Sequence, residues 1–546
     1  MKKRDNVKKI DFSDDFLIES AEKHFQDGDY FAALKLLNRQ AEHGKPNADA
    51  FAAYADVYEA LELYAEAVDS WYRFLDTCNE ADFGEGYEGL SVCYMHLGDD
   101  FQSNFYFRRM LEADGEEEIP FDPALEKRAQ LHVLPSGEEE HRAHLNEGEE
   151  EMRGGDLEQA KQKFSSIPKG SAHYADAVGY LAMCELIEGN EERAEEICAE
   201  HLKEYPDNVQ TLVTYCAALG ARKKKEEAKE VAHKLYDLKV ESEIDRYRVA
   251  TALCETEQHE EAYLMLKELA AGEYYYDDTI LWFLAVAAHN TGRDEEAIEA
   301  LERREILYPR GAVAKYYLSC LRRAKESGET VEMGYTYLLP MTEYSRIANE
   351  FLGVLASEEK RRDPSALHEE FLLAADVLEG RDEKLLALAI RAAIRLRADW
   401  FVRSVLINYR CHPLVKFTAL KELAVRNEEN NFGVVLLGLY YEYSTVKIEI
   451  GTRARKEFLA AFGEVYSRFA VLGGEWNGGK LAVAAEDVYA TLDETGLLSF
   501  AKERDALAAV IYREARLKGG VRGLKKICAL FGAEEATAKE ILKYLV

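Results

Sequence analysis

Residues 173–206 read HYADAVGYLAMCELIEGNEERAEEICAEHLKEYP, a stretch of 34 residues in which two small residues, Ala182 and Ala194, stand twelve positions apart. Gly189 and Asn190 lie between them, and Pro206 closes the stretch. Glycine can end a helix in the left-handed conformation, Asn can cap the next helix, and proline lacks the amide donor that a continuing helix needs. The stretch therefore predicts two helices that are joined by a tight turn and cross closely at the small residues.

The same pattern recurs with a nearly constant period, which indicates a repeat architecture. The second small residue of each repeat recurs after 34 or 35 residues at Ala160, Ala194, Ala228, Ala262 and Ala297. The first one stands twelve positions earlier, at Gly148, Ala182, Cys216, Ala250 and Ala285. Three earlier repeats carry the pairs Ala21 and Ala33, Ala55 and Ala67, and Ser91 and Ser103. The period predicts an all-α fold, an α-solenoid of helix-turn-helix repeats, which is an extended binding surface.

Larger side chains are expected to fill the space between neighbouring helix pairs. They stand four positions after the second small residue, at Trp71, Phe107, Phe164 and Leu301.

With these small, bulky and proline positions, the chain resembles the tetratricopeptide repeat family over roughly residues 12–330. The resemblance implies a right-handed superhelix whose first helices line an inner groove, with partners bound there as extended segments or helices. It implies no enzymatic activity. At the places of the family's carboxylate clamp, this chain has acidic, apolar and small residues, so we do not expect it to capture an acidic tail.

The interruptions of the period predict the domain organisation. We expect a basic tail at 1–11, a first repeat block of about three repeats at 12–114, an acidic, proline-containing linker at 115–138 and a second block of five to six repeats at 139–330. Helices without the 34-residue phase follow at 331–494, where Pro413 opens a segment similar to a HEAT-type repeat. Residues 495–546 form the last segment.

Charge separates the repeats from the rest of the chain. Residues 1–330 carry 39 Lys and Arg against 71 Asp and Glu, whereas residues 331–546 carry 30 against 31. Carboxylates keep a large surface soluble, and in the first three repeats the register also places several of them on the inner face. The predicted partner-binding acids are Asp15, Glu22, Asp49, Asp56, Glu59, Glu85 and Glu88. Such a groove attracts a basic partner in a salt-dependent way.

In the later repeats the inner-face positions become largely apolar. The predicted partner-binding residues there are Met183, Leu186, Val213, Tyr247, Trp282 and His289. We therefore expect a protein or peptide partner that is basic or presents an apolar helix, and a scaffold or adaptor function.

The C-terminal segment suggests an alternative function. Leu524–Phe531 and the residues after Gly532 have the spacing of a helix-turn-helix, and with residues 508–512 and Arg522 the segment resembles the last cyclin-box helices of transcription initiation factor IIB proteins. The alternative is a repeat-containing regulator that contacts nucleic acid through residues 495–546 only. Glu534, Glu535 and Glu540 oppose it, because carboxylates repel phosphates.

Neither catalysis nor a cofactor is indicated. Residues 474–480 have phosphate-loop spacing, but Leu481 replaces the Ser or Thr that would hold magnesium. His141 and His144 supply only two metal ligands. We therefore name no catalytic, cofactor-binding or metal-binding residue. Nine cysteines without a Cys-x-x-Cys pair, and no apolar run of membrane-spanning length, predict a cytoplasmic protein without a membrane partner.

Overall fold

The computed structural model describes residues 14–43, 46–113, 137–272, 276–356, 363–376, 383–472, 478–516 and 523–545. The predicted basic tail at 1–11 and residues 115–136 of the predicted linker lie outside them, as do residues 474–477 of the segment with phosphate-loop spacing. Two compact units contain the chain: unit 1 comprises residues 1–119 and 338–546, and unit 2 comprises residues 120–337. Unit 1 is therefore discontinuous in sequence.

The first part of unit 1 consists of three helix pairs. Their bounds are α1 Asp14–Gln26, α2 Tyr30–His43, α3 Ala48–Ala60, α4 Tyr64–Thr77, α5 Phe83–His96 and α6 Asp100–Ala113. Ala33, Ala55 and Ala67 are fully buried where the paired helices cross.

Unit 2 continues with five helix pairs and one further helix. They are α7 Glu138–Gly154, α8 Leu157–Ser165, α9 Tyr174–Ile187, α10 Glu191–His201, α11 Val209–Ala221, α12 Lys225–Asp237, α13 Glu243–Glu255, α14 His259–Leu269, α15 Asp278–Asn290, α16 Asp294–Leu307 and α17 Ala312–Ser327. The small residues at the crossings are buried throughout, so the predicted all-α solenoid of helix-turn-helix repeats is confirmed.

The second part of unit 1 contains helices and one hairpin. They are α18 Met341–Ala356, α19 His368–Asp376, α20 Glu383–Leu396, α21 Asp399–Ile407, α22 Pro413–Val425, β1 Asn430–Leu436, β2 Leu439–Thr445, α23 Arg455–Leu472, α24 Gly478–Glu494, α25 Arg504–Arg516, α26 Leu524–Phe531 and α27 Glu535–Leu542. The strands form an antiparallel pair in which Leu436 lies opposite Leu439. The sequence predicts only helices at 331–494, and the hairpin corrects that prediction.

The turns inside the helix pairs have one recurring backbone conformation. Gly28, Gly98, Gly155, Gly189 and Gly292 all have φ between 75° and 86°, as predicted. Three further repeats place Glu62, Lys223 and Glu257 at the equivalent position with φ near 60°. The left-handed turn is therefore a property of the repeat, and side chains other than glycine adopt it where the sequence lacks glycine.

One expectation about packing is wrong. Trp71, Phe164 and Leu301 are buried between neighbouring helices, but the side chain of Phe107 is 47% exposed. The physical reason is the interrupted period after α6. Ser91 and Gly148 stand 57 positions apart, so the 34-residue spacing that predicts a neighbouring repeat beside Phe107 does not hold there.

Candidate functional site

The acidic side chains predicted on the first helices of unit 1 do come together. Partial removal from water, followed by repulsion from Glu59, Glu85 and Glu22, raises the pKa of Asp56 to about 6. These four residues lie on α1, α3 and α5, the first helices of the three repeats. The repeat register thus places carboxylates from three helices within electrostatic reach of one another.

Glu85 extends this acidic face. Burial comes first among the causes that raise its pKa, and repulsion from Asp82, Asp49 and Glu88 follows. Asp15 belongs to α1, but its side chain is outside the described part of the structure. We call the surface formed by Glu22, Asp49, Asp56, Glu59, Glu85 and Glu88 the acidic face. The binding of a partner there stays a prediction.

Glu59 has a structural role as well. Its Oε1 accepts a hydrogen bond of 2.7 Å from Trp71 Nε1 and lies 3.4 Å from the Cys93 thiol. The bond satisfies the indole N–H of a buried Trp. Substitution of Glu59 would therefore disturb packing together with charge, whereas Asp56, Glu85 and Glu88 are exposed.

The predicted apolar residues of unit 2 differ in their surroundings. Met183, Leu186, Val213 and Tyr247 lie on three successive first helices and are half-buried. Trp282 is only 3% exposed, because its ring packs against the rings of Tyr317 and Tyr337.

A segment of unit 2 itself covers the first-helix face at Trp282 and His289. Residues 329–337 follow α17 without regular secondary structure. His289 Nε2 donates to Val331 O over 2.8 Å, and Trp282 Nε1 donates to Tyr335 O over 2.9 Å. We call residues 329–337 the covering segment, and the α15 surface beneath it the late face. The repeat register predicts that Trp282 and His289 face an open groove, but the covering segment lies over both, because the chain returns over the helix after Gly328, whose φ is 74°. Binding of a partner at these residues stays a prediction.

In unit 1 a second internal contact involves the second helices α4 and α6. Tyr72 and Tyr106 both donate their hydroxyl protons to Gly438 O, over 2.6 and 2.9 Å, and Gln102 Nε2 donates to Leu437 O over 2.8 Å. Asp76 Oδ1 accepts from Gly433 N over 2.9 Å. The hairpin therefore docks on the second-helix side of repeats two and three.

Burial shifts the pKa values of the side chains that hold the hairpin. Desolvation raises the pKa of the Tyr72 and Tyr106 hydroxyls well above its usual range, so both stay protonated and donate. On the other side of the hairpin, the buried Lys416 ammonium donates to Val435 O, and burial lowers the pKa of Lys416 to about 8. The lysine thus donates to a backbone carbonyl rather than to a carboxylate.

Two short helices, α26 and α27, follow each other where the sequence predicts a helix-turn-helix. Its relation to a nucleic-acid-binding motif stays a prediction. Gly532 has a φ of 67° between α26 and α27. Glu535 forms an ion pair at 2.7 Å with Lys539, the single basic residue within α27, so that charge already has a partner. The geometry is that of two short helices, and their acids do not favour a phosphate backbone.

The other motifs have structural explanations. His144 Nδ1 lies 2.8 Å from Ser166 Oγ, and His141 lies 3.7 Å from Glu138. Within the described ranges, no group of three or more His, Cys, Asp and Glu side chains could hold a metal ion. Of the helices in the part of the chain that the structure describes, none is long and apolar enough to span a bilayer. The nine cysteines are free thiols, and all except Cys78 are buried.

Comparison with known proteins agrees with the repeat architecture. Residues 145–209 match the family model of the tetratricopeptide repeat. Among solved structures, the chain is similar to the crystal structure of the TPR domain of P58(IPK), with 13% sequence identity and a TM-score of 0.18, over 58% of this chain and 99% of that chain. No curated protein matches.

The family match confirms tetratricopeptide repeats in unit 2, and repeats of this kind are in general protein-interaction scaffolds rather than enzymes. It does not extend to residues 495–546, so it lends no support to a resemblance to transcription initiation factor IIB.

Proposed function

We propose that this protein is a cytoplasmic adaptor that binds other proteins through the first-helix faces of its repeats. The acidic face of unit 1 takes a basic segment of a partner. The late face of unit 2 takes an apolar segment when the covering segment leaves it. The eight buried free thiols support a reducing compartment.

One observation carries the first half of this proposal: carboxylates of three successive repeats lie close enough to Asp56 that their repulsion, together with burial, raises its pKa. Keeping like charges close costs stability, and a cationic partner would relieve that cost. The attraction is long-ranged and screened by salt, so it acts on encounter rate and on specificity.

The test is affinity purification from native lysate with the full chain and a variant in which the acidic face is weakened. The variant is Asp56→Asn with Glu85→Gln, because both side chains are exposed and neither replaces Glu59, which holds Trp71. We expect a basic protein to be retained by the native chain, to be released early as salt is raised, and to be lost from the variant. Mass spectrometry identifies it.

The matched control removes two charges from second helices of the same repeat block, with Glu42→Gln on α2 and Asp100→Asn on α6, both exposed side chains outside the acidic face. This control should retain the partner as the native chain does. Equal loss from both variants would mean that only net charge matters, and equal retention by both would refute the acidic face as the binding surface.

A further inference from the structure

The covering segment has the side-chain alternation of a bound extended peptide. Glu332, Gly334 and Thr336 are exposed, whereas Val331 and Met333, like the two tyrosines that follow at alternate positions, are buried or half-buried. A period of two is that of an extended chain with one face against a surface. The segment thus presents one row of side chains to the first helices and the other row to solvent.

The late face holds the backbone of this segment through a row of side-chain donors on α15. His289 donates to Val331 O, and Asn290 Nδ2 donates to Met333 O over 3.2 Å. Trp282 donates to Tyr335 O, two residues further on. Carbonyl groups are common to every peptide, so these donors hold an extended backbone of any sequence in the same register.

Two aromatic sites add selectivity for side chains. The Tyr335 ring lies 5.7 Å from the rings of both His259 and Phe283. The Tyr337 ring lies 4.9 Å from Trp282 and faces the guanidinium of Arg304 at 4.6 Å.

Edge-to-face rings and a cation over a ring favour aromatic side chains over aliphatic ones of similar area. The spacing of the two sites corresponds to positions i and i+2 of the occupant.

We propose that the late face is a binding site for an extended partner peptide with aromatic side chains at alternate positions, and that residues 329–337 occupy it in competition with that partner. This rests on the proposed function of the late face. The same side-chain donors of α15 and the same ring sites accept a segment of a second protein only when the covering segment leaves them. The apparent affinity for the partner is the intrinsic affinity multiplied by the fraction of molecules with an uncovered face.

The experiment uses the full chain and a fluorescent synthetic peptide of residues 329–337, with binding measured by fluorescence anisotropy. The first variant, Tyr335→Ala with Tyr337→Ala, weakens the covering segment and leaves the donors in place. We expect this variant to bind the peptide at least about tenfold more tightly than the native chain. Adding Trp282→Phe, which removes one donor to the backbone, should weaken that binding about tenfold.

The matched control is Glu332→Ala with Thr336→Ala, which changes two exposed side chains of the same segment. It should bind the peptide as the native chain does. A peptide with both tyrosines replaced by alanine should bind the weakened variant at least about tenfold less tightly. The proposal is overturned if the weakened variant, with native helix content, binds the tyrosine peptide no more tightly than the native chain, or if the tyrosine-free peptide binds equally well.

A second measurement uses the native chain, so it tests the proposal even if the variants do not fold. Hydrogen exchange of the native chain is recorded with and without saturating peptide, and the amides of residues 329–337 should exchange faster when the peptide is bound. Unchanged exchange there refutes the competition. A negative result in these experiments would not refute partner binding at the acidic face, because that proposal is tested with other residues, in unit 1. The two proposals can therefore be refuted separately.

Discussion

At the residue scale, the backbone conformation of single residues and the charges around them both affect the free energy of unfolding. The turn between the two helices of a repeat requires a left-handed residue, and Lys223 adopts it with a φ of 62° where Gly189 stands one repeat earlier. In that conformation the Cβ of a non-glycine residue is sterically strained, whereas glycine has no Cβ and is not.

Replacing Lys223 by glycine should therefore stabilise unit 2. We expect the free energy of unfolding to rise by about 0.5 to 1 kcal/mol, because relief of the left-handed strain exceeds the entropy that glycine adds to the unfolded chain. Urea denaturation measures it. The reverse change, Gly189→Ala, adds a Cβ in open space and should cost about 1 kcal/mol through φ alone. A lower free energy of unfolding for Lys223→Gly, or a higher one for Gly189→Ala, would contradict a strained left-handed turn.

The raised pKa of Asp56 predicts the pH dependence of unit 1. The folded pKa of about 6 exceeds that of an unfolded Asp, near 4, so the folded state binds the proton more tightly between these values. The contribution of Asp56 to the free energy of unfolding therefore falls as pH rises from about 4 to about 6.

At pH 7, Asp56→Asn should be more stable than the native chain by about 1 kcal/mol, a value reduced for solvent screening because Asp56 is exposed. The difference should vanish near pH 4, as thermal unfolding at several pH values would show. Glu42→Gln, at an exposed residue of α2, serves as the control outside the acidic face. A native chain that is more stable than the variant at pH 7 would refute the repulsion.

At the scale of elements, the hairpin is stabilised by what it docks on. Its two-residue turn, Leu437 and Gly438, has positive φ at both positions, 53° and 74°, the geometry of a turn that usually contains Asn and Gly. Leu437 is 80% exposed, so its side chain does not favour the conformation by burial. The hydrogen bonds that Gln102, Tyr72 and Tyr106 donate to the turn carbonyls offset this cost.

Tyr106→Phe should separate docking from packing, because it removes only the hydroxyl that donates to Gly438 O and accepts from Tyr440 N. Gly438 O keeps the hydrogen bond from Tyr72, whereas Tyr440 N loses its acceptor. One buried donor left unsatisfied should lower the free energy of unfolding of unit 1 by about 1 to 2 kcal/mol. Urea denaturation, followed by circular dichroism, measures the change. Tyr544→Phe, at an exposed tyrosine, is the control and should have no effect. Equal stability of both variants would exclude a structural role for the docked turn.

At the scale of the whole molecule, the two units differ in how the chain forms them. Unit 2 is a continuous stretch of neighbouring helix pairs, in which each repeat packs on the next. Unit 1 joins the first three helix pairs to residues 338–546, for example through the hydrogen bond from Tyr409 Oη to Ala65 O and the ion pair of Arg410 with Glu66 at 2.6 Å. Its two parts bury surface against each other.

Residues 338–546 expressed alone should therefore aggregate or unfold, because the hairpin loses its partners on α4 and α6. Coexpression with residues 1–119 should restore a soluble complex that copurifies on a tag carried by either piece, whereas residues 120–337 should fold alone. Size-exclusion chromatography and circular dichroism distinguish these outcomes. A stable, monomeric 338–546 fragment would contradict the discontinuous unit.

The features that could be predicted from the sequence depend on neighbours along the chain. The crossing residues Ala182 and Ala194 and the turn at Gly189 belong to one helix pair, so their roles follow from spacing alone. The convergence of Asp56 with Glu22 and Glu85 follows from the same register. Phe107 was assigned wrongly because its predicted burial rests on the 34-residue spacing, which does not hold there.

By itself, the sequence determined the helix pairs, their turns and the acidic side of the first repeats, since each depends on contacts within one repeat or between successive repeats. Only the tertiary structure decided that Tyr106 holds a hairpin 332 positions away and that Trp282 is covered by Tyr335 and Tyr337. The physical reason is that such contacts form between surfaces brought together by the fold, and a backbone carbonyl that accepts a hydrogen bond carries no signature of its own in the amino-acid sequence.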